Sequence, residues 1–252
     1  MKKGLLVLAV VLASSVVFAQ EAAPLSSAAK DLSAGFGTSV IDTLTLPAGK
    51  LELGAAAGYV TNSEVFETGL ISVTYGIIDG LQANANWPLV LGEGHLDGNG
   101  DTNLGLLWEA VKDDGSTPAL GLQLSGRIPT GYGFTGYNGT LTGVITKSFG
   151  EFRLLGNAGV TTIGKNGDDG RNHTDSFKIG ADYMVLDNID VIVDLSSDMA
   201  SVQGADRIEA LEIGMRYAMT DVDVLSAGIA VGIGNGNATP DFMGTVGYQR
   251  CF

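Results

Sequence analysis

Two histidines are the residues of this sequence that could most directly take part in catalysis. His95 and His173 are its only imidazole bases. Base catalysis also needs a nucleophile and an orienting group within reach of the base. Serines and aspartates surround both histidines, but no spacing singles out a nucleophile. We therefore predict no enzyme, and a hydrolase built on surface loops is a minor alternative.

A second candidate for chemistry is the segment HLDGNGDTN, which could bind calcium. Asp97, Asn99 and Asp101 stand at alternate positions, as oxygen ligands do at the start of a calcium loop. The sixth position is Thr102 instead of glycine and the twelfth is Trp108 instead of glutamate, which excludes an EF-hand. A solvated turn is the expectation, with an improvised calcium site as the alternative. The sequence predicts no cofactor.

Charged residues in alternating segments are the third candidate. In ALGLQLSGRI, Leu122 and Leu124 share one face of a strand, while Gln123 and Arg127 share the other. A β-barrel in lipid has apolar side chains on its outer face and polar side chains on its inner face, and this alternation matches that arrangement. These charges either pair and close the lumen or line a polar constriction that selects solutes. The predicted lumen-lining set is Glu52, Glu109, Arg127, Arg153, Lys178, Asp182, Asp190, Asp194, Glu212 and Arg216.

The same alternation predicts twelve strands along the chain. Most have 9 to 13 residues, which is enough for a tilted strand to cross a bilayer and longer than most strands of soluble sheets. The predicted strands are Lys50–Val60, Glu64–Tyr75, Leu81–Val90, Thr102–Val111, Ala119–Pro129, Thr140–Ser148, Glu151–Ile163, His173–Val185, Ile189–Met199, Arg207–Met219, Val224–Gly234 and Asp241–Phe252.

The connections between these strands predict an orientation. One side has turns of two to seven residues, including Gly76–Gly80, and the other has loops of up to eleven, with Thr61–Ser63 as a short exception. Outer-membrane barrels have short periplasmic turns and longer extracellular loops. We therefore predict an all-β, antiparallel transmembrane β-barrel of about twelve strands, with both termini in the periplasm.

The two ends of the chain carry export signals. Residues 1–19 combine a basic start, an apolar stretch and a small-residue cleavage site, which is typical of a signal peptide. Residues 20–49 are predicted to be a leader that plugs the barrel or stays flexible, and residues 50–252 the barrel. The last strand ends on Phe252, like the terminal signal that the barrel assembly machinery reads. Arg250 departs from that signal and is expected to snorkel to the headgroups.

Composition excludes two classes of protein. The mature chain of 233 residues has 12 basic and 28 acidic groups, a formal charge of −16. An acidic chain without a basic stripe does not bind nucleic acid. Thirty-seven glycines, with no apolar run of 18 residues after the signal, are unlike a helical membrane protein. A single cysteine, Cys251, excludes an internal disulfide framework.

Four segments resemble a known family. They are LPAGKLEL at 46–53, YGIIDGLQ at 75–82, GNGDTNLGLLWE at 98–109 and IPTGYG at 128–133. In this order they resemble the outer-membrane transporter family named for the MetA pathway of phenol degradation. The resemblance covers about the first half of the barrel. It implies a channel or uptake role for aromatic or other small hydrophobic compounds, and it supplies no catalytic residues.

The main hypothesis is thus a channel for small-molecule solutes in the cell outer membrane. Its expected partners are outer-membrane lipid, the barrel assembly machinery and the solute itself. The alternatives are a structural or adhesive barrel whose lumen is closed by ion pairs, the surface-loop hydrolase, and a soluble secreted β-protein.

Overall fold

The computed structural model describes residues 40–60, 65–66, 70–92, 98–131, 136–164, 172–200, 207–233 and 242–252. Within these ranges every regular element is a β-strand. No helix in them is long and apolar enough to cross a membrane. The predicted signal peptide and the leader up to residue 39 lie outside the described residues.

The described residues form twelve long strands and two short ones. The short strands, β2 (Val65–Phe66) and β5 (Gly98–Asn99), each pair with β4. The long strands are β1 (Leu51–Val60), β3 (Leu70–Ile78), β4 (Leu81–Gly92), β6 (Thr102–Val111), β7 (Ala119–Ile128), β8 (Asn138–Phe149), β9 (Phe152–Thr162), β10 (His173–Leu186), β11 (Ile189–Asp198), β12 (Ile208–Ala218), β13 (Asp223–Gly232) and β14 (Phe242–Cys251).

The long strands close into an antiparallel barrel. Each pairs with the next along the chain, with β3 beside β1 and β6 beside β4. The last strand then pairs with the first, from Glu52 opposite Cys251 to Val60 opposite Met243. Closure satisfies the backbone groups that an open sheet leaves at its edges, which a strand in lipid requires. The predicted all-β barrel of about twelve strands is confirmed.

Burial in this barrel is inverted relative to a soluble protein. On β11, Asp190, Asp194 and Ser196 are buried, while Val193 and Leu195 between them are exposed. The same alternation puts large apolar side chains on the exterior of every long strand for which side chains are described. An apolar exterior around polar walls is the arrangement that lipid requires.

The connections fall into two unequal groups at the two ends of the barrel. Five turns, of two to seven residues, mark what we call the short-turn end. Six connections between long strands mark the long-loop end, and two of them contain the short strands β2 and β5. The predicted short loop Thr61–Ser63 lies outside the described residues and stays a prediction. β2 pairs with β4 in nearly the same register as β3, which agrees with a strand that begins near Glu64 as predicted.

At its other end, β3 runs further than predicted. Gly76–Gly80 was expected to be a five-residue turn, since glycine and aspartate usually mark turns. A register shift between Gly76 and Ile78 lets β3 continue to Ile78, which pairs with Leu81. Such a bulge adds a residue to one strand without ending the ladder. The turn is consequently reduced to two residues.

Buried apolar side chains form two small clusters inside the barrel. Leu46 packs with Met184, Ala218 and Val224 near the short-turn end. Further from the short-turn end, Val40 packs with Leu155 and Ile192. Each cluster therefore contains one residue from the segment that precedes β1.

Candidate solute pathway

All ten predicted lumen residues project from the inner face of the wall, in the phase opposite to the exposed apolar side chains. Six of them are buried: Glu52, Arg153, Asp182, Asp190, Asp194 and Arg216. The other four are half-buried: Glu109, Arg127, Lys178 and Glu212.

Four of the buried residues form an ionic network on β9 to β12, near the short-turn end. Arg153 donates from Nε to Asp182 Oδ1 over 2.9 Å and from Nη2 to Asp182 Oδ2, a bidentate pair. Arg216 donates from Nε to Asp190 Oδ2 over 3.0 Å, and its Nη2 contacts the same oxygen. Nη2 of Arg216 also lies 3.5 Å from Asp182 Oδ2. Because buried charges are costly unless paired, these contacts make the network possible.

Asp42 adds a fifth charge to this network from the segment before β1. Its Oδ2 accepts a hydrogen bond from Nη1 of Arg153. Its Oδ1 accepts from the hydroxyl of Thr146 over 2.8 Å. The strand pattern misses Asp42 because it lies outside the twelve predicted strands. A usable signal was present, since it is the only charged residue between Asp31 and Lys50.

Residues 40–46 rise inside the lumen from the short-turn end toward the middle of the barrel. The amide of Leu46 donates to Gln82 Oε1 over 2.8 Å, next to the first turn. Further in, the side-chain amide of Asn157 pairs with both backbone groups of Ile41. Its Oδ1 accepts from the Ile41 amide over 2.6 Å, and its Nδ2 donates to the Ile41 carbonyl over 2.8 Å. The wall thus holds this segment through hydrogen bonds to its backbone as well as through the ion pair of Asp42.

Glycines in the wall leave room for the segment. A Cβ on Gly180 would lie 3.0 Å from Cγ1 of Val40. A Cβ on Gly76 would lie 2.1 Å from the carbonyl oxygen of Pro47, a backbone atom that cannot swing away. The inner wall is therefore shaped to the segment at both ends.

Above the network, an acidic wall of Asp194 and Glu212, with Lys178 beside them on β10, faces a neutral wall. Asp194 and Glu212 stand opposite each other in the register of β11 and β12. The hydroxyl of Ser196 donates to Glu212 Oε1 over 3.4 Å. The strand opposite β11, six strands around the barrel, is β4. It presents amide side chains to the lumen, and its neighbour β3 presents hydroxyls. These uncharged inner residues are Ser72, Thr74, Gln82, Asn84 and Asn86.

The carboxylate of Asp101, a ligand of the alternative calcium site, is engaged within the chain. Asp101 is 6% exposed, and its Oδ1 accepts from the amide of Gly131 over 3.0 Å. Its Oδ2 lies 3.3 Å from Nε of Arg127. Asp97 and the side chain of Asn99 lie outside the described residues. Among the residues that are described, no three His, Cys, Asp or Glu side chains are placed to hold a metal ion.

Of the two histidines, His173 is the first residue of β10 and its side chain is exposed. His95 lies outside the described residues. The prediction that the protein is not an enzyme stays a prediction.

The turn 112–118 is fixed to the short-turn end by Asp113. Its Oδ1 accepts from Nζ of Lys147 over 2.7 Å and from the Gly115 amide over 2.9 Å, and its Oδ2 accepts from the Ser148 amide over 2.7 Å. The hydrogen bond from Lys147, followed by those from the two amides, holds the pKa of Asp113 well below its usual range. The ionised carboxylate therefore anchors this turn at neutral pH.

Arg250 has a partner within the protein. Its Nη1 lies 3.2 Å from Oδ1 of Asp223, which also accepts from the Tyr248 hydroxyl. The guanidinium lies over the ring of Phe252, 5.6 Å from its centroid. This misfit in the terminal strand is therefore neutralised by an acid on β13.

Solved structures with the same fold are outer-membrane proteins. An outer membrane channel from Pseudomonas putida F1 is similar with a TM-score of 0.67 at 15% identity, over 84% of this chain and 98% of the channel. The NanC porin gives 0.62 at 12% identity, over 79% of this chain and 98% of the porin. The KdgM porin gives 0.58 at 8% identity, over 80% of this chain and 99% of the porin.

No protein-family model and no curated protein sequence matches the chain. The resemblance to the family of the phenol-degradation pathway therefore stays a prediction. At 8 to 15% identity, the structural likeness establishes the fold. The chain folds as the barrel of outer-membrane channels and porins.

Proposed function

We propose that the protein is a channel in the outer membrane that passes small solutes through a polar lumen. The observation that carries the proposal is the inner wall, where the acids of β11 and β12 face the amides of β4 inside a closed barrel with an apolar exterior. A barrel of about twelve strands lies between the filled eight-stranded and the open sixteen-stranded types. The likeness to a channel and two porins supports the same reading.

The charge of the inner wall indicates which solutes would pass. The ten lumen residues comprise six acids and four bases, and Asp42 adds a seventh acid. A lumen of net negative charge attracts cations and repels anions. We therefore propose a preference for cationic or neutral solutes.

The test is ion selectivity in planar bilayers under a gradient of KCl. We expect discrete conductance steps and a reversal potential that favours K⁺ over Cl⁻. Asp194→Asn with Glu212→Gln should move the reversal potential toward zero. Asp187→Asn is the matched control, because Asp187 is an exposed acid in a turn outside the lumen. Electrically silent membranes, or selectivity for Cl⁻, would count against the proposal.

A barrel with a closed lumen is the second candidate, and the ionic network with Asp42 favours it because it occupies the short-turn end. The same recordings decide between the two, since a closed structural or adhesive barrel stays silent even at high voltage.

Aromatic or hydrophobic solutes, which the family resemblance implies, are the finer proposal. Leu155 and Ile192 form an apolar patch in the polar wall, which Val40 of the segment before β1 covers. An aromatic ammonium ion such as benzylammonium combines a ring for this patch with a charge for the acidic wall. Its permeability should exceed that of a tetraalkylammonium ion of similar size, and equal permeability would argue against a contribution from the patch.

Two partners complete the proposal. The apolar exterior is expected to lie in outer-membrane lipid. The assembly machinery is expected to read the last strand, which ends on Phe252. Deleting Phe252 should lower the yield of folded barrel in cells more than it lowers folding from urea into lipid vesicles.

A further inference from the structure

We propose that residues 40–46 form a displaceable plug, that Asp42 is its latch, and that the exposed turn 47–50 is its hinge. The effect of the plug on conductance rests on the channel function proposed above. Its position and its latch do not, and each has a test of its own.

The plug fills the part of the lumen where the charged wall is most tightly paired. Asp42 is 5% exposed and Val40 is 1% exposed. The plug contacts the wall through hydrogen bonds to β4, β8 and β9 and lies against the glycine of β10. These are four of the twelve long strands of the barrel. A segment held on so many strands narrows the pathway.

The charges of the wall are balanced without the plug, which is the reason to regard it as displaceable. If Asp42 leaves, Arg153 keeps its bidentate pair with Asp182, and Arg216 keeps Asp190. Two arginines then face two aspartates, and no charge is stranded. With the plug in place the same network holds a surplus acid. If Asp42 were one half of a purely structural ion pair, removing it would leave a buried charge without a counter-ion, at a high cost in free energy.

The turn before β1 suits a hinge. Residues 47–50 are exposed, and Gly49 has a φ of 80°, a backbone conformation that glycine adopts without strain. The Gly49 amide donates to the carbonyl of Gly76 over 2.8 Å, and the Lys50 amide donates to the carbonyl of Pro47 over 3.1 Å. Rotation about this turn would move the plug while β1 stays paired in the barrel.

A reversible lock tests the position and the effect of the plug. In a Cys251→Ala background, Val40→Cys and Gly180→Cys place two thiols where Cγ1 of Val40 lies 3.0 Å from the Cβ of residue 180. That is roughly the sulfur-to-Cβ separation across a disulfide. We expect the pair to oxidise readily, and the oxidised barrel to conduct several-fold less than the same barrel after reduction. Val40→Cys alone is the control and should not respond to reduction.

A labelling experiment tests the latch without any current. A charged thiol reagent should modify Val40→Cys in the folded barrel slowly. Asp42→Asn should raise the modification rate roughly tenfold or more, because the segment loses at least one charge-assisted hydrogen bond. Asp187→Asn, which removes an acid outside the lumen, should leave the rate unchanged.

Each outcome bears on a different part of the proposal. If no disulfide forms in barrels that migrate as folded, and Thr43→Cys with Gly121→Cys also fails although their side chains would lie 3.3 Å apart, the position is wrong. If Asp42→Asn does not change the labelling rate, Asp42 is not the latch. A locked barrel that conducts as well as a reduced one removes the effect on conductance. If every variant fails to conduct, including the reduced barrel and Asp42→Asn, the channel function is wrong. The labelling result alone then decides whether the plug exists.

Discussion

Replacing Arg216 by methionine is the sharpest test of the ionic network. Arg216 and Asp190 are 2% and 1% exposed, and the guanidinium contacts Asp190 through both Nε and Nη2. Arg216→Met keeps much of the apolar stem but leaves Asp190 without its arginine. Removing one partner of a buried pair costs about 3–5 kcal/mol, because the remaining charge has neither water nor a counter-ion.

The geometry also predicts an asymmetry between the two partners. Asp190→Asn leaves Arg216 with a second carboxylate, since Asp182 Oδ2 lies 3.5 Å from Nη2. We therefore expect Asp190→Asn to cost only about 1.5–3 kcal/mol, the range for losing a hydrogen bond to a charged group. The double variant should be more stable than Arg216→Met alone, because it removes the stranded charge.

The assay is equilibrium unfolding in urea from lipid vesicles, followed by tryptophan fluorescence. Both tryptophans, Trp87 and Trp108, are exposed on the exterior and would report on transfer from lipid to water. The reasoning is refuted if Arg216→Met lies within about 1 kcal/mol of the unsubstituted barrel, or if the two single effects simply add.

Three further predictions concern the rim, the exterior and pH. Gly76→Ala places a Cβ 2.1 Å from the carbonyl oxygen of Pro47 and should destabilise the fold by about 1–3 kcal/mol. Gly143→Ala is the control, because the nearest atom to its Cβ is 3.9 Å away, and the urea midpoints of the two variants are compared. Leu124→Arg, in the middle of β7, should cost about 2–4 kcal/mol in vesicles and Ile78→Arg, at the end of β3, only about 0–1, so equal costs would contradict the predicted depths. Because the pKa of Asp113 is lowered by folding, its stabilisation is complete above about pH 4 and is lost as the pH falls through the folded value. Amide exchange in the turn 112–118 should therefore accelerate in acid beyond its intrinsic rate, and Asp113→Asn should abolish the difference.

The alternation of side chains was sufficient to predict the strands because it is a local property. Thr102–Val111 was predicted with both of its bounds, and the other strands mostly within one or two residues. A strand in lipid shows its register through every second side chain, and a slip of one residue would turn charges outward. The pattern failed at β3, where a bulge after Gly76 continues a strand through a sequence that usually forms a turn.

The contacts within the lumen could be predicted only in part. The phase of the strands places Arg153 and Asp182 on the inner face, but their pairing depends on the stagger between β9 and β10, where the two residues stand in register. Asp42 joins Arg153 across 111 positions of sequence. No periodicity reaches from a segment outside the barrel to a particular rung inside it, so its place had to come from the structure.

The direction of the ion pairs argues against a lumen closed by charge alone. Arg153 on β9 pairs with Asp182 on β10, and Arg216 on β12 pairs with Asp190 on β11. The contact of Arg216 with Asp182 reaches one strand further along the same wall. Pairs that run around the wall neutralise it without bridging to the opposite side, where β4 presents amides. Asp42 enters this network from the segment inside the lumen and not from a strand of the wall. Among the residues that the structure describes, obstruction of the lumen therefore depends on a segment that the turn 47–50 joins to β1. Such a lumen can open when that segment moves, whereas a wall of ion pairs across the barrel could open only by unfolding.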